Sequence, residues 1–267
     1  MNENNFNAYR TAKVVNHYAQ LKILQPAETM LLERLRDRLP RMKMLDIGVG
    51  GGRTAQHFAQ MVADYTGIDY SSAMIEACQQ RFANLPQAQF EVCDARDMSR
   101  FSDRSFDLIL FSFNGIDSVS ETDRLRIFQE VQRVGKPGSY FFFSTHNLQG
   151  LEASFKLTDH LSLNPFSTYV NLFMWGLLRL LNRSLTPQRL QASNTAVVRD
   201  ESHNFSLKNY YIRPEAQIAQ LEPFFQDIQI YPWQNTQEIT DRQELLQNRS
   251  MWFYYLCTVR EAPLGQS

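Results

Sequence analysis

The chain has 267 residues, of which 43% are hydrophobic and 12% aromatic, so it can bury the core of one large domain. Its 27 lysine and arginine residues nearly balance 28 aspartate and glutamate residues, and the net charge of -1 excludes the strongly basic face that nucleic-acid binding usually requires. The three cysteines, Cys78, Cys93 and Cys257, are widely spaced, which indicates neither a disulfide framework nor a cysteine-based zinc site. The histidines are scattered, so no metal site is predicted.

The beginning of the chain is predicted to be helical. Residues 9–24 carry apolar side chains at helical spacing, Pro26 marks a break, and residues 28–39 form a second amphipathic pattern. The polar start does not resemble a signal peptide. The most apolar run, residues 170–181, is too short to span a bilayer. We therefore expect a cytoplasmic protein without a membrane span.

A glycine-rich turn follows the first predicted strand. The apolar residues 44–47 lead into four glycines within five positions, and residues 53–60 continue as a helix. A ligand can lie against bare backbone at such a turn, because glycine has no Cβ. The G-x-G-x-x-G pattern of dinucleotide enzymes would need a third glycine where Arg53 stands. The spacing that fits is D-x-G-x-G-x-G, which begins at Asp46.

The next strand, residues 65–69, ends in an acid. Asp69 lies 21 positions beyond Gly48, close to the separation at which a Rossmann-like unit places a carboxylate on ribose hydroxyls. Alternatively, Asp69 is a solvated acid or caps the helix that starts near Ser71.

Alternation of strands and helices continues to residue 147. The fourth predicted strand, residues 105–114, is a continuous apolar run, as expected of a parallel strand covered on both faces. The other predicted elements of this region are a helix at 73–82, a strand at 89–93, a helix at 121–134 and a strand at 139–147. Near the carboxyl end of the chain, a helix at 213–221 precedes two strands at 225–231 and 251–259.

These motifs resemble those of the class I S-adenosylmethionine-dependent methyltransferases, by motif over residues 41–147 and by element order over residues 212–260. The resemblance implies an α/β fold, a Rossmann-like three-layer sandwich whose seven-stranded, mostly parallel sheet has its last strand antiparallel. It also implies a single methyltransferase domain over residues 1–267, with a helical lid segment at 1–40 and a lid or substrate insertion at 148–204.

The resemblance further implies which residues hold the cofactor S-adenosylmethionine. The glycine turn would approach the cofactor, Asp69 the ribose, and Asp94 with Ala95 the adenine edge. Tyr70 and Met74 would flank the adenine, and the end of the fourth strand would line the methionine arm and the approach of the acceptor. The implied cofactor-binding residues are Asp46, Gly48, Gly50, Gly52, Asp69, Tyr70, Met74, Asp94, Ala95, Ser112, Phe113 and Asn114.

The implied activity is transfer of the methyl group of S-adenosylmethionine to an O, N or C atom of a small acceptor. A general base is needed only when the acceptor carries a proton that must leave early. His146 is the best-placed candidate, because open α/β sheets put their sites at the carboxyl edge. Other candidates, for which a structural role is an alternative, are His17, His203, Tyr210 and Tyr211. The catalytic residue is left open.

The insertion carries an apolar segment from Asn164 to Leu181. It is either a lid whose Phe173 and Trp175 favour an apolar or aromatic acceptor, or a helical hairpin that buries both residues against the sheet. Two rival functions stay open. One is an NAD(P)-dependent oxidoreductase, which Arg53 and the Asp94–Ala95 pair disfavour, and the other is a non-catalytic module that binds a cofactor or a partner.

Overall fold

The computed structural model describes residues 23–156, 164–201 and 205–261. The predicted first helix, residues 9–24, lies outside the described residues apart from its last two positions, and with it Tyr9, His17 and Tyr18. His203 also lies outside them.

The amino-terminal half of the chain forms a parallel sheet. Its strands are β1 (Lys43–Ile47), β2 (Asp64–Asp69), β3 (Ala88–Val92), β4 (Phe106–Phe111) and β5 (Gly135–Asn147). They pair in the order β3–β2–β1–β4–β5, all parallel. The carboxyl ends of β1, β2 and β4 therefore meet at one edge, where a ligand site is expected in such sheets.

Four helices accompany these strands: α1 (Pro26–Leu35), α2 (Ala55–Phe58), α3 (Ser72–Arg81) and α4 (Glu121–Val134). The bounds of α4 are those predicted, and Ser120 caps the helix by accepting the N–H of Asp123. The first of the four begins earlier and ends earlier than predicted. Pro26 is favourable in the first turn, and Leu39 belongs to a separate 3-10 turn.

The predicted insertion has a regular structure of its own. It contains α5 (Leu148–Ser154), α6 (Pro165–Leu181), α7 (Pro187–Ala192) and β6 (Thr195–Val198), and it is followed by β7 (Asn209–Ile212). An antiparallel hairpin, which the sequence did not predict, joins β6 to β7. The second strand of this hairpin also runs parallel to the last two residues of β5.

The carboxyl-terminal elements close the sheet as predicted. They are α8 (Pro214–Leu221), β8 (Phe225–Pro232), α9 (Arg242–Gln247) and β9 (Trp252–Val259). The last strand lies antiparallel between β5 and β8. The main sheet therefore has seven strands in the order 3-2-1-4-5-9-8, which is the α/β Rossmann-like fold that the sequence predicted.

Two apolar clusters cover the two faces of this sheet. On one face Phe128 of α4 packs edge-on against Phe143 and Phe225. On the other face α1, α2 and α3 contribute residues such as Leu31 and Phe58. The result is a three-layer sandwich. A third cluster belongs to the insertion and includes buried residues of α5, α6 and β6.

The outer surface of α6 is apolar. Phe166 is 74% exposed, Tyr169 70% and Phe173 59%. The interpretation in which this helix buries Phe173 against the sheet is therefore wrong, because that face of the helix points to solvent. Trp175 is half-buried and donates to the carbonyl of Phe155. No described helix combines the length and hydropathy needed to cross a bilayer.

Candidate functional site

The glycine turn between β1 and α2 is held in a backbone conformation that favours glycine. The φ angles are +65° at Gly48, +53° at Gly50 and +82° at Gly52. A Cβ on Gly52 would lie 2.4 Å from the Phe82 ring, so this glycine permits helix packing. A Cβ on Gly50 would meet only the carbonyl oxygen of Gly48, at 3.9 Å, so at this position a ligand can approach the backbone.

Asp69 joins the turn to the end of β2. One carboxylate oxygen accepts the N–H of Gly50 at 3.0 Å, and the other accepts the N–H of Ser71 at 2.9 Å. Burial raises the pKa of Asp69 to about 6, against the lowering effect of these two hydrogen bonds. Each oxygen keeps a further lone pair, so the carboxylate can accept two more donors from a ligand.

Asp46 lies beneath the turn. Its carboxylate accepts the hydroxyls of Thr54 and Tyr65, which tie β1 to the start of α2 and to β2. Burial raises the pKa of Asp46 to about 6, although both hydroxyls favour the ionised form. These contacts give Asp46 a structural role, and its contact with a cofactor stays a prediction.

Nearly all the predicted cofactor residues line one pocket at the carboxyl edge of the sheet, and the exceptions are Gly52 and Asn114. Both oxygens of Asp94 accept hydrogen bonds from the Arg96 guanidinium, Oδ1 at 3.0 Å and Oδ2 at 2.6 Å. Burial raises the pKa of Asp94, but the bonds from Arg96 outweigh it and hold the pKa below its usual value. Residues that the sequence analysis did not assign to this pocket include Val49, Arg53, Thr54, Cys93, Gly115 and Ser118.

Arg53, which breaks the dinucleotide pattern, forms a buried ion pair with Glu28 of α1. Its two terminal nitrogens lie 2.5 and 2.6 Å from the two oxygens of Glu28. The hydroxyls of Ser112 and Tyr254 also donate to this carboxylate. The Arg53 guanidinium lies 5.0 Å from the centre of the Phe113 ring. The leading helix is thereby held against the glycine turn and the end of β4.

The chain turns sharply after β4. Phe113 and Asn114 have φ angles of +57° and +60°, which are uncommon for residues other than glycine. The N–H of Asn114 donates to the hydroxyl of Ser144 at 2.8 Å. The amide nitrogen of the Asn114 side chain lies 3.3 Å from Nε2 of His146. Asn114 therefore links His146 to the turn in which Phe113 and Gly115 line the pocket.

His146, at the end of β5, is held by a buried carboxylate. Its Nδ1 lies 2.7 Å from Oδ2 of Asp117, which also accepts the backbone N–H of His146. The other oxygen of Asp117 accepts Arg124 and Thr145, each at 2.5 Å. The Tyr211 ring packs against the imidazole at a tilt of 31°, with 4.7 Å between ring centres. Asp117 was not predicted, because nothing near it in the sequence indicates its partner.

The two tyrosine candidates are less suited to act as bases. The Tyr211 hydroxyl donates to Asp200 at 2.6 Å, and burial raises the pKa of Tyr211 well above its usual value. Tyr210 lies under the Arg124 guanidinium, and burial raises its pKa too. Within the described part of the chain, no three histidine, cysteine or acidic side chains converge on a metal position.

Comparisons with known proteins agree with this geometry. Residues 44–138 match the family model described as a methyltransferase domain. A probable phthiotriol/phenolphthiotriol dimycocerosates methyltransferase of Mycobacterium ulcerans is 34% identical over 105 residues, which are 38% of each chain. The fatty-acid O-methyltransferase of Mycolicibacterium smegmatis is also 34% identical over 105 residues, 38% of this chain and 36% of that protein.

The similarity thus spans less than two fifths of the length of these curated relatives. At the level of structure, an S-adenosylmethionine dependent methyltransferase from Mesorhizobium loti superposes with a TM-score of 0.58 at 17% identity, over 87% of this chain and 97% of that one. This likeness shows the same fold.

Proposed function

Because the chain belongs to the class I S-adenosylmethionine-dependent methyltransferases through its domain at residues 44–138, we propose that it transfers a methyl group from S-adenosylmethionine to an O, N or C atom of a small acceptor. The observation that carries this proposal is the hydrogen bond between Gly50 and Asp69, which places open backbone and a buried carboxylate in one pocket. When bound, S-adenosylmethionine supplies a methyl group on a positively charged sulfonium.

The pocket fits this cofactor. At Gly50 no side chain fills the space above the turn, and the backbone can face the ligand. Asp69 retains lone pairs for two vicinal hydroxyls of a ribose. Tyr70 and Met74 line the same pocket next to Asp94 and Ala95, where a flat base could be enclosed. We assign the ribose to Asp69 and the adenine to this group of four.

The protein contributes mainly alignment and exclusion of water to such a reaction. The Glu28–Arg53 pair fixes α1 against the turn, and Arg53 itself lines the pocket. Ser112 and Phe113 line the pocket and directly precede Asn114, whose side chain contacts His146. We place the acceptor beside these residues.

We further propose an apolar or aromatic acceptor. The exposed face of α6, with Phe166, Tyr169 and Phe173, offers apolar surface in the insertion that follows β5. A fatty acid is named as the substrate of one relative. The predicted role of the 148–204 segment in recognising the acceptor is part of this proposal.

Calorimetric titration with S-adenosylmethionine, S-adenosylhomocysteine and NADH tests the cofactor. We expect micromolar binding of the first two and none of NADH. Transfer of labelled methyl groups to a panel of hydroxyl, amine and carbon acceptors then tests the reaction. Binding of NADH alone would favour an oxidoreductase, and binding of the methyl donor without transfer to any acceptor class would favour a non-catalytic module.

The affinity for S-adenosylhomocysteine is expected to fall below pH 6. Asp69 must be ionised to accept ribose hydroxyls, and its pKa in the free protein is raised to about 6. Protonation therefore competes with binding, so Kd should rise about tenfold for each pH unit below 6 and level off above it. Calorimetry between pH 5 and pH 8 measures this dependence.

The matched variant for this prediction is Asp69→Asn. It should bind more weakly by about 10-fold or more at pH 7.5, as expected for the loss of hydrogen bonds to a charged group. Its affinity should also change little between pH 5 and pH 7.5. An affinity equal to that of the wild type would contradict the ribose assignment. If Kd still rose tenfold per pH unit below pH 6 in this variant, the titrating group would be Asp46, whose pKa is also raised to about 6.

A further inference from the structure

We propose that His146 is the general base of this transferase. The methylated atom is then the oxygen of a hydroxyl group, which must lose its proton, and not a carboxylate oxygen. This inference rests on the proposed function and names the acceptor class for the same site. It is carried by the contacts of Asp117 and Asn114 with the imidazole and by the ion pair of Asp117 with Arg124.

The contacts of Asp117 determine the protonation of His146. Oδ2 of Asp117 accepts the backbone N–H of His146 and lies 2.7 Å from Nδ1. An ionised carboxylate can only accept, so Nδ1 must carry a hydrogen. In a neutral imidazole the lone pair is then on Nε2, which is the nitrogen on the side of Asn114.

Charged and aromatic groups surround the imidazole. Asp117 and Arg124 are both fully buried and form an ion pair at 2.5 Å, so the charge of the carboxylate is already balanced. From β7, Tyr211 packs against the ring at a tilt and donates its hydroxyl to Asp200. From β9, Trp252 presents an aromatic edge. The Asp117 carboxylate, in contact with Nδ1, would stabilise a cation formed on the ring.

The Nε2 atom faces Asn114, which lies in the chain between two residues that line the pocket, Phe113 and Gly115. Its contact with the Asn114 amide is 3.3 Å long, which is weak for a hydrogen bond. The side-chain oxygen of Asn114 is buried and has no hydrogen-bond partner in the described structure. Buried polar atoms of this kind are uncommon and call for an explanation. A hydroxyl group beside Asn114 has one hydrogen, which it could donate to Nε2, while its oxygen accepts from the Asn114 amide nitrogen. The Asn114 oxygen would then take a second donor from the ligand.

The chemical step follows from this arrangement. The hydroxyl proton moves to Nε2 of His146 while an oxygen electron pair forms the new bond to the methyl carbon. The carbon–sulfur bond breaks, and its electron pair stays on sulfur, which becomes neutral. The products are a methyl ether, S-adenosylhomocysteine and an imidazolium paired with Asp117. A carboxylic acid is already ionised at neutral pH and has no proton to give, so its methylation would not use this base.

The variant His146→Asn separates these two acceptor classes. Asparagine can still donate to Asp117 from a position close to that of Nδ1, but it has no atom in place of Nε2. We would compare transfer of labelled methyl to 4-nonylphenol, which has a hydroxyl, and to dodecanoate, which has a carboxylate. His57→Asn serves as the matched control, since His57 lies on α2 and is not among the residues that line the pocket.

We expect His146→Asn to lower kcat on 4-nonylphenol by about 100-fold or more. The pH profile of kcat should also lose the rise that reports deprotonation of a catalytic base. Transfer to dodecanoate, where it occurs, and the Kd for S-adenosylhomocysteine should stay within about twofold of the wild-type values. An equal loss with both acceptors would overturn the proposal. If the wild-type protein did not bind S-adenosylhomocysteine, that result would instead contradict the proposed function.

A second measurement needs no turnover. The ring-nitrogen signals of His146 can be assigned in nitrogen-15 NMR spectra as those that disappear in His146→Asn. In the wild-type protein at pH 8 these signals should show a proton on Nδ1 and none on Nε2. This result supports the proposal even if neither probe is methylated. A proton on Nε2, with Nδ1 unprotonated, would overturn it, because the base would then have no lone pair on the side of the pocket.

Discussion

Glu28→Ala is expected to lower the free energy of unfolding by about 3–5 kcal/mol, as is typical when one partner of a buried ion pair is removed. The carboxylate of Glu28 is fully buried and neutralises Arg53, which is itself 7% exposed. Its loss leaves the guanidinium without a countercharge beside the cofactor pocket. The hydroxyls of Ser112 and Tyr254 lose an acceptor at the same time. Urea denaturation monitored by circular dichroism measures the effect.

The matched control removes both charges. A double variant, Glu28→Leu with Arg53→Met, leaves no unpaired charge and should recover most of the stability lost in the single variant. A deficit of about 1 kcal/mol should remain, because Glu28 also accepts the N–H of Gln25 and caps α1. If the double variant were as unstable as Glu28→Ala, an unpaired Arg53 would not be the cause.

Gly52→Ala is expected to cost about 2–5 kcal/mol of stability and to weaken cofactor binding. About 1–2 kcal/mol comes from the left-handed backbone, since φ is +82° at this residue. A further 1–3 kcal/mol, roughly, comes from overpacking, because the new methyl would lie 2.4 Å from the Phe82 ring. Phe82 is stacked on Phe90 and cannot easily move away. Denaturation and calorimetric titration with S-adenosylhomocysteine measure both effects.

Gly138→Ala provides the comparison for the steric part of this effect. Gly138 has almost the same backbone conformation, with φ of +79°, but no described atom lies within 4 Å of an added Cβ. Gly138→Ala should therefore lower the free energy of unfolding only through backbone strain, by about 1–2 kcal/mol. Equal losses in the two variants would show that the contact with Phe82 does not contribute, which would contradict the packing role of Gly52.

The long, regular elements were predictable from the sequence. The bounds of α4 agree with the prediction because its apolar face, containing Phe128 and Val131, repeats over nearly four turns and Ser120 gives a clear start. The hairpin of β6 and β7 was not predicted. Its strands have only four residues each, and all four residues of β7 are buried, so no alternation of polar and apolar residues marks it.

The same distinction applies to the candidate site. The glycine turn, Asp69 and Asp94 lie close together because parallel strands bring their carboxyl ends to one edge. The ion pair of Glu28 with Arg53 joins residues 25 positions apart, and Asp117 and His146 are 29 positions apart. Contacts of this kind depend on the packing of separate elements, which leaves no local pattern in the sequence.

The position of His146 in β5 protects it from local unfolding of the sheet. The middle of this strand, residues 140–143, is paired on both edges, with β4 on one side and β9 on the other, and His146 itself is paired with both β9 and β7. Amides in such a strand exchange with solvent only when the sheet itself separates, so His146 is anchored in a part of the fold that opens late. The insertion α5–α7 packs on a separate cluster, to which Tyr211 of β7 also belongs. In the proposed lid role of the insertion, movement of α6 would leave both hydrogen-bonding contacts between His146 and Asp117 in place.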